Sequence, residues 1–193
     1  RTDSVLRSAM AGHYCNIYSR KMIEQCQIRF QPFVLGADLT FMIQVLNKAN
    51  NIQRIEDVTY EYIIRPNTSK NKSEIQKQDF KHYYDNFRWR EWVVNYMNSS
   101  EKLLQMYGMQ MGGGLCPIIT KEWLKYSKEE RVQCFERLKN IVKNIDWEKQ
   151  KVNENGYLWI NKDKFCKMTE PQYTNYLRKR FYLIEPIKKV LGR

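Results

Sequence analysis

Residues 36–50 read GADLTFMIQVLNKAN. Leu39, Met42, Ile43, Val45, Leu46 and Ala49 recur at helical spacing, which predicts a helix over Asp38–Asn50, with the Asn50-Asn51 pair suited to its end. Upstream, Ser19 is placed to cap a helix through Lys21–Cys26, with Met22, Ile23 and Cys26 on one side. Before it, Tyr14–Tyr18 reads as a short strand. Downstream, Val58, Tyr60, Tyr62 and Ile64 alternate with Thr59, Glu61 and Ile63, so Ile52–Ile64 is expected to be extended. The polar run from Arg65 through Pro66, Asn67, Thr68 and Ser69 to Ser73 is turn-rich and reads as a loop.

Past residue 75 the texture turns helical. Phe80, Tyr83, Tyr84, Phe87, Val94 and Met97 form one amphipathic stripe. Glu101–Met111 is a second helical piece, ended by Gly112, Gly113 and Gly114. Ser127 and Glu130 have capping-box spacing, and Val132, Phe135, Leu138, Ile141, Val142 and Ile145 follow at a helical period. Tyr173–Leu191 is a basic, aromatic segment with Pro186 as a kink.

The composition bounds the class. The chain has 193 residues, 42% hydrophobic and 13% aromatic, enough apolar surface for a core and too much for intrinsic disorder. No apolar run reaches the roughly 20 residues that cross a bilayer, and Arg1–Met10 has no apolar stretch of the signal-peptide kind. Against 21 acidic residues stand 33 Lys and Arg, a net charge of +12, which favours an anionic partner. The five cysteines are widely spaced with no CxxC pair, and there are two histidines. That pattern points to reduced thiols in a cytosolic setting, not a disulfide frame or a zinc site, and no metal-ligand set is assigned.

Three features have bland and functional readings. The triple glycine lacks the preceding strand and following Lys-Ser/Thr of a phosphate loop, so a linker is favoured. The interleaved aromatic and basic residues Lys81–Trp92 could stack bases. Most of those aromatics fall on the apolar stripe, which favours core packing. The last twenty residues carry Tyr176, Leu177, Phe181, Tyr182, Leu183, Ile184, Ile187, Val190 and Leu191 beside a cluster of Arg and Lys. They fit an anionic membrane surface and a docked helix with a solvated basic face equally well.

Asn16, Tyr18 and Arg20 are followed by Ile28-Arg29-Phe30, by Asp38 and Phe41, and by Tyr60, Tyr62, Arg65, Thr68 and Ser69. Their order and spacing resemble the C-terminal half of the catalytic domain of family 2 glycosyltransferases, over about a third of the chain. The resemblance implies an α/β fragment at residues 1–75, the C-terminal part of a GT-A domain, followed by a mainly α-helical extension at residues 76–193. It implies transfer of a sugar from a nucleotide-diphosphate donor to a saccharide or lipid-linked acceptor, in surface polysaccharide or glycolipid assembly. A sugar hydroxyl needs a base to become a nucleophile, and Asp38 occupies the matching position, where a helix dipole attracts negative charge. On its own, Asp38 reads as an ordinary helix cap; the order of the surrounding motifs reverses that preference. Arg65 would contact the donor diphosphate, guanidinium matching phosphate oxygens in pairs, with Thr68 and Ser69 donating hydroxyls from the same loop. That loop, with Lys70 and Lys72, otherwise reads as solvated and basic.

The resemblance further implies a divalent cation, Mn or Mg, in the intact enzyme. It places the protein in the cytoplasm or peripherally on the inner face of the plasma membrane, where an anionic surface would meet the positive charge. Nucleic acid is not an expected partner. Ala37 stands where the family often has Glu, and no Asp-x-Asp motif occurs. The chain is therefore expected to be a fragment, inert by itself. The competing reading is a non-enzymatic basic helical module for nucleic acid or an anionic membrane. The enzyme needs Asp38 and Arg65 on one wall of a cleft, whereas the nucleic-acid module needs Arg88, Arg90, Arg178 and Arg180 on one continuous surface.

Overall fold

The computed structural model describes residues 13–53, 79–101, 103, 119–147, 160–184 and 186. Of these, 71% are helical and none lies in a strand. The chain is mainly helical, which corrects the α/β expectation for its first part. The chain falls into two compact units, Arg1–Met106 and Tyr107–Arg193. The expected strand over Ile52–Ile64 lies almost wholly outside the described residues, as do the join at residue 75, the triple glycine and most of Glu101–Met111.

The first unit opens with a 3₁₀ turn, His13–Cys15, and Asn16–Ser19 follows without regular structure. Tyr14–Tyr18 is thus not the short strand expected. Ile17 is 87% exposed, while Asn16 and Tyr18 bond through their side chains to Met42. A strand needs a backbone partner, and side-chain contacts hold this stretch instead. Helix α1, Arg20–Gln25, begins as expected at Ser19, whose Oγ accepts the Met22 N–H. It ends in a Schellman turn. The N–H groups of Gln27 and Ile28 return to the carbonyls of Glu24 and Ile23, with Gln27 in the left-handed region at φ 52°.

Helix α2, Ala37–Lys48, buries every residue from Thr40 to Leu46. A helix apolar on all sides must be wrapped on all sides, and helix α3, Phe80–Asn98, packs on it. The two are also tied at their C-terminal ends: Asn47 donates to the Tyr96 hydroxyl, and Ser100 donates to Asn47. The aromatic stripe of α3 faces inward at Tyr83 and Phe87, with Val93, Val94 and Met97, so the packing reading holds there.

In the second unit a 3₁₀ helix, Lys121–Lys125, precedes helix α4, Lys128–Asn144. The capping box at α4 forms as the sequence predicts: Ser127 Oγ accepts from Glu130 N and Glu130 Oε2 from Ser127 N. Phe135, Leu138, Ile141 and Val142 are buried as expected, whereas Val132 is 38% exposed. Helices α5, Lys162–Lys167, and α6, Glu170–Lys179, follow, and α6 runs into a π-helical turn, Arg180–Ile184. Tyr173 is the hub of this core. Its ring meets Trp123, Phe135 and Phe165 at centroid distances of 5.7, 5.8 and 4.9 Å, edge-on to Trp123 and Phe165 as ring quadrupoles favour.

A polar chain threads the same core. Trp123 Nε1 donates to Thr174 Oγ1, Thr174 donates to Glu170 Oε1, and Arg131 Nε reaches that oxygen at 2.7 Å. Arg131 also donates to the Tyr126 carbonyl. The network satisfies the buried indole N–H and places a cation against the buried carboxylate, without which burial would be costly.

Ser127→Ala removes one arm of the capping box and should lower stability by about 1 kcal/mol in denaturant titration. Cys134 is buried, and burial pushes its thiol from 9.0 up to about 12. The unfolded thiol then ionises first, so stability should fall as pH rises from about 9 towards 12; Cys134→Ser should flatten that fall. The native protein should likewise alkylate at exposed Cys15 and Cys166 and spare Cys134.

Candidate functional site

Asn16, Tyr18 and the Ile28-Arg29-Phe30 segment meet around α2. Phe41 lies at the centre. The Tyr18 ring meets it edge-on at 5.4 Å, and Phe30 stacks on it at 4.2 Å, nearly parallel. One residue further, Met42 Sδ accepts from Tyr18 Oη at 2.9 Å and from Asn16 Nδ2. Burial raises the Tyr18 hydroxyl pKa above its ordinary value, so this donor keeps its proton.

The Ile28-Arg29-Phe30 segment is held by a side chain. Gln44 Nε2 donates to the Arg29 carbonyl at 2.8 Å, and Gln44 Oε1 accepts the Arg29 N–H at 3.4 Å. One amide thus satisfies both backbone groups of Arg29, the work a neighbouring strand would otherwise do. Ile28 is buried beside it.

Asp38 is exposed in the first turn of α2. It is not the cap: that position belongs to Gly36, and Asp38 Oδ1 accepts the N–H of the next residue, Leu39, at 2.8 Å. The carboxylate therefore stands at the open N-terminal end of the helix, facing solvent.

What fixes that end was not legible in the motif. Gly36 adopts φ 81°, a region in which a Cβ meets its own backbone. A Cβ there would also lie 2.4 Å from the Trp89 ring of α3. Just upstream, the Val34 N–H donates to Asp85 Oδ2 at 2.6 Å. Asp85 is 1% exposed, and Arg88 pairs with its other oxygen at 2.7 Å while lying over the Phe33 ring. Asp85, Arg88 and Trp89 thus grip residues 33–36 from one face of α3. An acid close in sequence to Tyr83, Tyr84 and Phe87 but off their apolar stripe was the available signal.

Of the four residues singled out from the sequence, only Asp38 falls among the described residues; Arg65, Thr68 and Ser69 lie outside them. Of the arginines a nucleic-acid surface would require, Arg90 is buried, bonded to the Asn86 carbonyl and side chain and set over Trp89. Burial lowers its guanidinium to about 9, so it stays charged at neutral pH but points inward. Arg88 is committed to Asp85. Among the described residues no group of three or more His, Cys, Asp or Glu is arranged to hold a metal, and no helix is long and apolar enough to cross a membrane.

The chain matches no family model, and no curated protein or solved structure matches it.

Gly36→Ala should be strongly destabilising, because both the backbone conformation and the Trp89 contact oppose a methyl group. A loss of more than about 1 kcal/mol in denaturant titration is expected. Trp89→Leu should recover only the contact part, leaving the double variant less stable than Trp89→Leu alone.

Proposed function

We propose that residues 13–53 form the acceptor-activating part of a glycosyltransferase that uses a nucleotide-diphosphate sugar. The observation that carries this reading is convergence. Asn16 and Tyr18, Ile28-Arg29-Phe30, and Asp38 with Phe41 come from separate stretches of sequence, and they pack on one helix around Phe41. A shared packing centre gives a reason for these residue types to occur in this order. The same packing leaves a carboxylate exposed one helical turn before Phe41.

In this reading Asp38 takes the proton of the acceptor hydroxyl as its oxygen attacks the anomeric carbon. The bond from that carbon to the diphosphate breaks, the nucleoside diphosphate leaves, and the configuration inverts. The Leu39 N–H orients one carboxylate oxygen, and the bond holds the side chain against the helix end. Arg65, Thr68 and Ser69 would meet the departing diphosphate. The described residues offer no cluster for the divalent cation that the resemblance implies, so no step is assigned to it here. The acceptor, a saccharide or a lipid-linked sugar, would approach from the solvent side of Asp38.

The nucleic-acid module is the weaker reading. It asks Arg88 and Arg90 to present charge outward, and both are engaged within the first unit.

The test is Asp38→Asn in the full-length protein, assayed by nucleoside diphosphate release from a panel of nucleotide sugars. The turnover number should fall by at least about 100-fold with little change in donor affinity. An undiminished turnover number, or no release by the unaltered protein from any donor, would overturn the proposal.

A further inference from the structure

The outward face of the second unit changes character at its last described turn. Along α6 and the π-helical turn, Tyr173, Leu177 and Phe181 point into the core, each 7% exposed or less. The opposite face begins polar, with Gln172, Asn175, Arg178 and Lys179 exposed. It then becomes apolar: Tyr182 and Leu183 are each 58% exposed, and Ile184 is 39% exposed. Three consecutive apolar side chains in solvent are not the scatter of single hydrophobes that any surface carries. The wider π-helical turn brings them out side by side.

Cations surround the patch. Arg178 and Lys179 lie one turn before it, and Lys121 Nζ sits 5.5 Å from the centre of the Tyr182 ring. Glu122, the acid next to Lys121, is engaged by Lys125 at 2.6 Å. The sequence that follows has one acid, Glu185, and then Lys188 and Lys189, within a chain of net charge +12.

We infer that Tyr182, Leu183 and Ile184, ringed by Arg178, Lys179 and Lys121, form a docking surface for an anionic lipid bilayer. The chemistry selects this occupant. A tyrosine sits well at the headgroup level, where its ring is half buried and its hydroxyl stays wet. Leucine and isoleucine enter the acyl boundary, and the cations meet anionic headgroups. Nucleic acid would use the charge and the tyrosine ring but leave Leu183 and Ile184 without a partner, since aliphatic side chains do not stack on bases. This inference is independent of the role given to Asp38.

The test uses the 193-residue chain and sedimentation with vesicles. The chain should pellet with vesicles of equimolar phosphatidylcholine and phosphatidylglycerol, and far less with phosphatidylcholine alone. Changing Tyr182, Leu183 and Ile184 together to Ser should lower the partition at least about tenfold. Arg178→Gln with Lys179→Gln should lower it about fivefold per charge at low salt. All five side chains are exposed, so both variants should keep the parent's circular dichroism. Absence of pelleting with the anionic vesicles would overturn the inference, as would equal binding to both compositions. So would a serine variant that binds like the parent, or a parent that binds vesicles only through a self-association the serine variant abolishes. Binding to a single-stranded oligonucleotide that displaces the vesicles and ignores the serine changes would assign the surface to nucleic acid instead.

Discussion

Helix α2 can exist only if the rest of the first unit encloses it. Thr40 to Leu46 are buried without interruption, so this helix has no solvent face over two turns, and a free α2 would expose apolar surface all around. The enclosure is specific. Tyr18 and Phe30 close on Phe41, α3 packs alongside, and Gln44 reaches out of the helix to satisfy the backbone of Arg29. Thr40 and Gln44 are the polar residues in this run and both are satisfied: Thr40 donates to the Ala37 carbonyl and Gln44 to that of Arg29, since an unsatisfied polar group there would oppose the surrounding burial.

The second unit meets the same demand differently. Its core is aromatic and edge-on around Tyr173, and the polar chain from Trp123 through Thr174 to Glu170 and Arg131 runs inside it. Hydrogen-bond geometry constrains direction where apolar contact does not. Such a chain fixes the rotation of α6 about its own axis more tightly than ring packing alone. That rotation decides which residues of the following turn face solvent, and hence where Tyr182 and Leu183 stand.

Local signals were legible in the sequence, and non-local ones were not. The caps at Ser19 and Ser127 and the apolar periods of α2, α3 and α4 depend on residues within a few positions of each other, and all of them formed. The strand at Tyr14–Tyr18 did not form, because the residues of a short segment do not report whether a second backbone lies alongside. The Ile28–Phe30 segment has a side-chain amide in that place, fifteen positions away in sequence. At the candidate site, Asp38 was legible as a residue near a helix start. Its actual place inside the first turn depends on the left-handed Gly36, and that depends on Trp89 and Asp85 from a helix fifty residues later. The positions of Arg65, Thr68 and Ser69 fall outside the described residues.

The grip of α3 on residues 33–36 has a mechanical consequence. Asp85 pulls on Val34 through a hydrogen bond, and Trp89, one turn further along the same helix, caps Gly36 by contact. The two anchors act on neighbouring points of one loop. Both belong to α3, so that helix fixes the loop that leads into α2. The start of α2, and with it the place of the Asp38 carboxylate, therefore depends on a second helix as well as on its own Leu39 N–H.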